Sequence, residues 1–323
     1  MVLAVEVENL SVGYVDEGEE ALWAVRGVNL KVLEGSIHCI VGESGCGKST
    51  LGKAIVGILP PHAVIKGVIK IFGEKVVDGD KTLYHKSRGK LVTFIPQNPA
   101  KALNPYLRIG DQFYYVMKSL RNYDKRRALE EAGKLLKLVG LPDTSYLDKY
   151  PHEFSGGMQQ RIAIAMALAN GAKIVVADEP TSFLDAHLRL QILKLLDELS
   201  EKLELTVIMI THDILMASKI CDHLSVMYAG LVVEDGKCKE ILKNPLHPYT
   251  KMLLKVVPVL GTRKKLESYV GEPPRLDEYP KGCPFYPRCP DRLEKCLNEK
   301  PPIFRVNGRL VSCWLYGGEY ERT

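Results

Sequence analysis

Apolar and polar residues alternate with period two over residues 1–10 (MVLAVEVENL), which predicts a strand; the interleaved acidic side chains suit the edge of a sheet. Residues 36–41 (SIHCIV) and 174–177 (IVVA) are short apolar runs instead, the mark of strands covered on both faces. Residues 206–211 read as another strand. Between these runs the period changes. Over 124–141, Leu129, Ala132, Leu135, Leu136 and Val139 recur at helical spacing with charges on the opposite side, a stripe that faces a core. Residues 1 to about 76 therefore read as short strands and turns, about 106–170 as mostly helical, and 172 to about 233 as strand–helix alternation. That order predicts an α/β fold built on a mostly parallel sheet.

The chain has 323 residues, 46% hydrophobic and 26% charged, with a formal charge of +5. Such a charge is small for the length and gives no reason to expect nucleic acid as a partner. No apolar stretch reaches membrane-spanning length, and the opening residues lack the basic-then-apolar layout of a signal peptide, so a cytosolic chain is expected. One phosphate-loop motif and no internal repeat are present.

That motif is GESGCGKS at 42–49, lying between a strand-like run and an apolar helix pattern. Gly42, Ser44, Gly45, Cys46 and Gly47 offer backbone N–H groups to phosphates, Lys48 brings positive charge to the outer phosphates, and Ser49 offers a hydroxyl to magnesium, with Thr50 next to it. The helix that starts there turns its positive end to the anion. Asp178 and Glu179 follow the 174–177 strand, at the end where α/β sheets hold ligands. Asp178 is the candidate magnesium ligand and Glu179 the group that orients an attacking water. Cys46, beside Lys48 and a helix N-terminus, is expected to have a lowered thiol pKa and to be reactive.

Phe154-Ser155-Gly156-Gly157-Met158-Gln159-Gln160-Arg161 resembles the LSGGQ signature of ATP-binding cassette (ABC) proteins, with Phe for the usual Leu and Met for the usual Gln. The resemblance implies an antiparallel β subdomain beside the ATPase core and a helical subdomain over about 100–170. It also implies that Gln97 is the coupling glutamine and a magnesium ligand, that Ser155, Gly156 and Gly157 face the phosphates of a partner's nucleotide, that Asp185 belongs to the loop between the two sites, and that His212 is the switch histidine. Tyr14 stands where the family stacks an aromatic ring on adenine; Trp23 is the alternative. Since one set of motifs is half of a two-nucleotide sandwich, a second ATPase subunit is implied.

The tail changes character. Asn244-Pro245-Leu246-His247-Pro248-Tyr249-Thr250, Gly271-Glu272-Pro273-Pro274 and Cys283, Cys289, Cys296 and Cys313, together with the QNP and LNP tripeptides at 97–99 and 103–105, resemble the ATPase subunits of oligopeptide and dipeptide importers. Read from the residues alone, four cysteines in a Pro-rich, core-poor segment need a staple, and in a cytosolic chain a metal is favoured over disulfides. The paired C-x-x-C knuckles usual for zinc are absent, while four thiolates suffice for a four-iron cluster. Zinc stays open as the alternative; the resemblance implies a [4Fe-4S] cluster. The expected division is a nucleotide-binding domain over 1–260 and an extension over 261–323, the cluster pinning the extension while leaving nucleotide binding untouched.

By this resemblance the chain uses ATP and Mg2+ to energise peptide import. Its partners are a similar, non-identical ATPase, two transmembrane permease subunits and, indirectly, an extracytoplasmic binding protein; it lies peripherally on the cytoplasmic face of the membrane. An importer of oligosaccharides or nickel is the near alternative, and a soluble ABC ATPase outside transport the distant one.

Overall fold

The computed structural model describes residues 2–15, 20–84, 87–255, 271–318 and 322. The expected boundary at 260/261 lies outside the described residues. Two sheets organise the chain. The first holds five antiparallel strands in the order β2-β1-β4-β5-β6, from β1 (Leu3–Tyr14), β2 (Leu22–Leu33), β4 (Ala63–Ile71), β5 (Glu74–Asp78) and β6 (Lys81–Thr82). β1 was expected at an edge, yet it lies between β2 and β4: Val5 pairs with Val32 on one side and Ile71 on the other. The acidic positions that suggested an edge are neutralised within the sheet, since Lys70 of β4 donates to Glu6 at 2.9 Å and to Glu8 at 2.6 Å.

The second sheet has eight strands in the order β12-β13-β11-β10-β3-β9-β8-β7. Its centre is parallel: β10 (His223–Tyr228), β3 (Ile37–Val41), β9 (Thr206–Thr211), β8 (Ile174–Asp178) and β7 (Val92–Ile95). Every residue of β3, β8 and β9 is buried, which is why these segments read as apolar runs and not as alternation. β11 (Leu231–Lys237) turns back antiparallel, and the tail adds β13 (Arg309–Val311) and β12 (Phe304–Val306) to it. The cysteine segment thus extends the core sheet.

Helix α1 (Lys48–Val56) follows β3 and packs between the two sheets, burying Leu51, Ala54, Ile55 and Val56. The helical region comprises α2 (Pro99–Ala102), α3 (Ile109–Arg121), α4 (Lys125–Leu138) and α5 (Gly156–Leu168). Of the stripe expected on α4, Ala132, Leu136 and Val139 are buried in the large core and Leu135 packs against it. Asp124 starts the helix by accepting from the Arg127 N–H at 2.8 Å. After β8 come α6 (Ala186–Leu203), α7 (Ile214–Ala217), α8 (Cys238–Lys243) and α9 (Pro248–Lys255).

Candidate nucleotide site

Parallel pairing fixes where the chemistry lies. Val41 pairs with Thr211, and Asp178 with Ile210, so β3, β8 and β9 end at one edge of the sheet. The phosphate loop, Asp178 with Glu179, and His212 leave from that edge, and Gln97 stands exposed just past β7 beside them. Residues up to 170 positions apart in sequence meet because the strands share one direction.

The loop is tight where its glycines require it. A Cβ on Gly42 would lie 2.1 Å from the Met227 carbonyl oxygen, and one on Gly47, at φ +99°, would lie 2.3 Å from that of Ala24. Neither position admits a side chain. Ser44 and Gly45 face solvent. Lys48 is 5% exposed and curls back on its own loop, its Nζ donating to the carbonyls of Gly42 at 2.7 Å and Glu43 at 2.8 Å. These carbonyls hold the ammonium where phosphate oxygens can take it over.

The neighbouring Cys46 corrects an expectation. Its Sγ lies 3.7 Å from Lys48 Nζ, but the residue is 3% exposed, and burial raises its thiol pKa more than the lysine lowers it. The thiol is protonated and covered, so it is not a reactive group.

Ser49 Oγ donates to Asp178 Oδ1 at 2.9 Å, so one hydroxyl and one carboxylate share a corner of the site. Burial raises the Asp178 pKa and the Glu179 charge adds to it, while Ser49 and the lysines 53 and 48 pull the other way. A dry carboxylate next to a second carboxylate and a hydroxyl is a donor set of the kind that takes magnesium.

Glu179 is held in the left-handed region at φ 49°, an unusual backbone for a residue with a Cβ. Its N–H donates to the Ile210 carbonyl at 2.8 Å, which ties this conformation to β9. The strained turn aims the carboxylate at His212, whose Nδ1 lies 2.8 Å from both oxygens, and Ser182 Oγ donates to the same group. The carboxylate is therefore fixed from two sides.

Tyr14 ends β1, and its hydroxyl hydrogen-bonds Thr50 Oγ1 at 2.9 Å, joining the expected adenine platform to α1. Trp23 instead carries Lys66 over its ring at 5.2 Å and packs on Gly13. Ser155 caps α5, accepting from the Met158 N–H at 3.4 Å; Ser155 and Gly156 are exposed, and Gly157 lies against Leu188. Asp185 is the cap of α6, accepting from the Leu188 N–H at 2.9 Å. Within this chain both loops are helix starts open to solvent.

In the tail, Cys283, Cys289, Cys296 and Cys313 line one small cavity with Asp291, His247 and Trp314. Burial raises the thiols of Cys283, Cys289 (to about 11) and Cys313 (to about 12), and the neighbouring cysteines add to each. Among the described residues, no three His, Cys, Asp or Glu side chains converge closely enough to hold a single ion.

The sequence reading missed the polar anchors of the tail. Glu234 is fully buried in β11 and accepts from the N–H groups of Leu246 and His247 at 2.9 Å each, with Arg309 of β13 at 3.5 Å. This carboxylate holds the turn between α8 and α9.

Residues 25–182 match the family model for ABC transporters, and residues 233–296 match that for the C-terminal region of oligopeptide/dipeptide transporters. The dipeptide transport ATP-binding protein DppD of Bacillus subtilis (strain 168) is 41% identical over 327 residues, covering 98% of this chain and 96% of its own length. The oligopeptide transport ATP-binding protein OppD of Escherichia coli (strain K12) is 40% identical over 293 residues, covering 90% and 87%. Among solved structures, the dimeric ATP-binding cassette MJ0796 in a post-hydrolysis state with ADP and Pi is 31% identical, with a TM-score of 0.62 over 72% of this chain and 98% of that one. The tight glycine loop around Lys48, the fixed carboxylate at the strand end and these likenesses agree: the chain belongs to the ATP-binding cassette family, in its oligopeptide and dipeptide transport branch, and is an ATPase.

Proposed function

We propose that this chain powers the uptake of di- or oligopeptides by hydrolysing ATP on the cytoplasmic face of the membrane. The observation that carries the chemistry is the Glu179 carboxylate fixed by His212 and Ser182 at the strand edge that also bears Lys48, Ser49 and Asp178. Adenine stacks on Tyr14. The loop N–H groups from Gly42 to Thr50 cradle the phosphates, and Lys48 exchanges its two carbonyl partners for phosphate oxygens. Ser49, Asp178 and, through its side-chain amide, Gln97 hold magnesium, which when bound offsets charge on the transferring phosphoryl group. Glu179 orients the attacking water, and His212, through Nδ1, keeps that carboxylate in place.

Ser155, Gly156, Gly157 and Asp185 act across an interface, on a nucleotide held by a second ATPase subunit. That Ser155, Gly156 and Asp185 face solvent at helix starts supports this reading. No helix among the described residues is long and apolar enough to cross a membrane, so the transport path belongs to permease partners, fed by an extracytoplasmic binding protein. Residues 1–260 carry the nucleotide chemistry, and the 261–323 extension holds a [4Fe-4S] cluster on Cys283, Cys289, Cys296 and Cys313. The four thiols line one shared cavity, which supports a common ligand there, and four thiolates suffice for a four-iron cluster.

The test is reconstitution of the chain with its partner ATPase and permease in lipid vesicles. Peptide presented with its binding protein should raise ATP hydrolysis and enter the vesicles; stimulation by an oligosaccharide or by nickel but by no peptide would reassign the cargo. Metal analysis of anaerobically purified protein should give iron and sulfide at about four each per chain, and stoichiometric zinc without iron would replace the cluster.

A further inference from the structure

The segment that carries the four cysteines reaches the phosphate loop. Arg288, the residue before Cys289, sends both guanidinium nitrogens to Glu43, with Nη1 to Oε2 at 2.7 Å and Nη2 to Oε1 at 2.8 Å. Glu43 is the second residue of the phosphate loop. The arginine side chain is 6% exposed and the glutamate 27%, so the fork is largely shielded from water. Two parallel charge-assisted hydrogen bonds fix orientation as well as distance.

Glu43 has every one of its polar groups engaged. Its N–H donates to the Tyr249 hydroxyl at 2.9 Å, and its carbonyl accepts from Lys48 Nζ at 2.8 Å and from the Cys46 N–H at 3.4 Å. Tyr228 and Tyr249 pack on each other at 4.6 Å between ring centres, and each meets Phe285, which lies between Cys283 and Cys289 in sequence, edge-to-face at 5.2 and 5.5 Å. Arg288 also touches the Tyr228 hydroxyl at 3.4 Å. A second brace runs beside the first: the Arg26 guanidinium of β2 lies 3.7 Å from the centre of the Tyr279 ring and donates to the Leu276 carbonyl. Beside these braces, residues 272–276 with Tyr279 and Ser44, Gly45 and Cys46 wall one open cavity.

We propose that Arg288 is a positioning residue for ATP: it sets the conformation of the phosphate loop through Glu43, and so passes the state of the cysteine segment to the nucleotide site. This replaces the expectation that losing the tail site would leave nucleotide binding untouched. The loop that receives phosphate must release Lys48 from the carbonyl of Glu43, and Arg288 decides where that carbonyl stands. Lys48 and Glu179 are shared with the proposed hydrolysis, but the brace itself touches no reacting atom. Because coupling is reciprocal, bound MgATP must stabilise the tail as much as the tail favours MgATP.

The experiment compares full-length wild type with Arg288→Ala, Arg288→Lys, Glu43→Gln and the Arg288→Ala/Glu43→Gln pair. Three quantities are read: affinity for a fluorescent ATP analogue, alkylation of the covered Cys46, and proteolysis of the tail with and without MgATP. Arg288→Ala and Glu43→Gln should each weaken nucleotide binding about tenfold, the scale of a lost charge-assisted hydrogen bond. Their effects should not add, Arg288→Lys should restore part, and Cys46 should label faster in both. MgATP protection of the tail should disappear. Glu43→Gln leaves the tail sequence intact, so it carries the test even if Arg288→Ala misfolds. Wild-type affinity and Cys46 labelling in Glu43→Gln would overturn the proposal, as would additive losses in the pair. Because the readouts are binding and labelling, failure here is separable from failure of the catalytic roles of Glu179 and His212.

Discussion

The nucleotide edge and the C-terminal segment are built on opposite plans. At the edge, short contiguous motifs each bring a complete local device, and parallel strands carry these devices to one place. In the tail, single residues with no local signature do the binding: Arg288 holds Glu43 across 245 positions, Arg309 holds Glu234, and Phe285 packs edge-on against two tyrosines. Backbone geometry organises the first region and side-chain contacts the second. The difference teaches where substitutions should act. A change at the edge should alter chemistry in a protein that still folds, whereas a change in the tail should alter stability and reach the chemistry chiefly through Glu43.

The sharpest contrast comes from Glu179→Gln, which keeps the shape and removes the charge. In the assembled complex it should lower steady-state phosphate release by about a thousandfold while MgATP still binds. Phosphate release near the wild-type rate would remove Glu179 from the mechanism. Phe285→Ala takes the opposite part. Phe285 is 1% exposed, and truncating it should cost about 3 to 5 kcal/mol, read by denaturant unfolding, with an altered tail cleavage pattern. An unchanged midpoint would mean that the aromatic contact does not hold the tail.

Next in size is a pH effect, from one histidine in the sheet and one in the tail. Burial in the sheet lowers His38 to about 4, with the His223 charge adding to it and Asp235 opposing, and burial lowers His247 to about 3. His38 Nε2 meets Ser225 Oγ at 2.7 Å. Both rings are neutral in the fold, whereas the unfolded chain takes up protons near pH 6.5. Stability is therefore complete above pH 6.5 and is lost as pH falls towards 4, where His38 alone accounts for about 3 kcal/mol. A flat unfolding free energy between pH 6.5 and 4.5 would contradict the neutral assignment. Asp185→Ala should cost about 1 kcal/mol as a lost helix cap; a much larger loss in assembled ATPase activity than in stability would mark the second role proposed for Asp185. Smallest of all, Cys46 in the wild type should react slowly with alkylating reagents at pH 7, and labelling as fast as a free thiol would restore the reactive reading.

The fold and most of the edge were legible because the signals are periodic or contiguous. Buried parallel strands betray themselves as apolar runs, and Gly42–Ser49 needs its glycines in order. What failed did so for spatial reasons. The acids of β1 suggested an edge because Lys70, which neutralises them, comes 62 positions later. Cys46 looked activated because the sequence displays the neighbouring Lys48 and not the burial that outweighs it. Nothing local to Arg288 or Glu43 signals their pairing across 245 positions, and only the sheet that folds the tail onto β11 brings them together.

The central claim is that one sheet edge gathers Lys48, Ser49, Asp178, Glu179 and His212 into a single nucleotide site, and a crystal structure of the Glu179→Gln variant with MgATP tests it most directly. The account predicts phosphates in the loop with Lys48 moved off the Glu43 carbonyl, magnesium on Ser49 and Asp178, adenine on Tyr14, and a water between residue 179 and the outer phosphate. Nucleotide bound elsewhere, or bound at the loop with magnesium away from Asp178 and no water near residue 179, would contradict it.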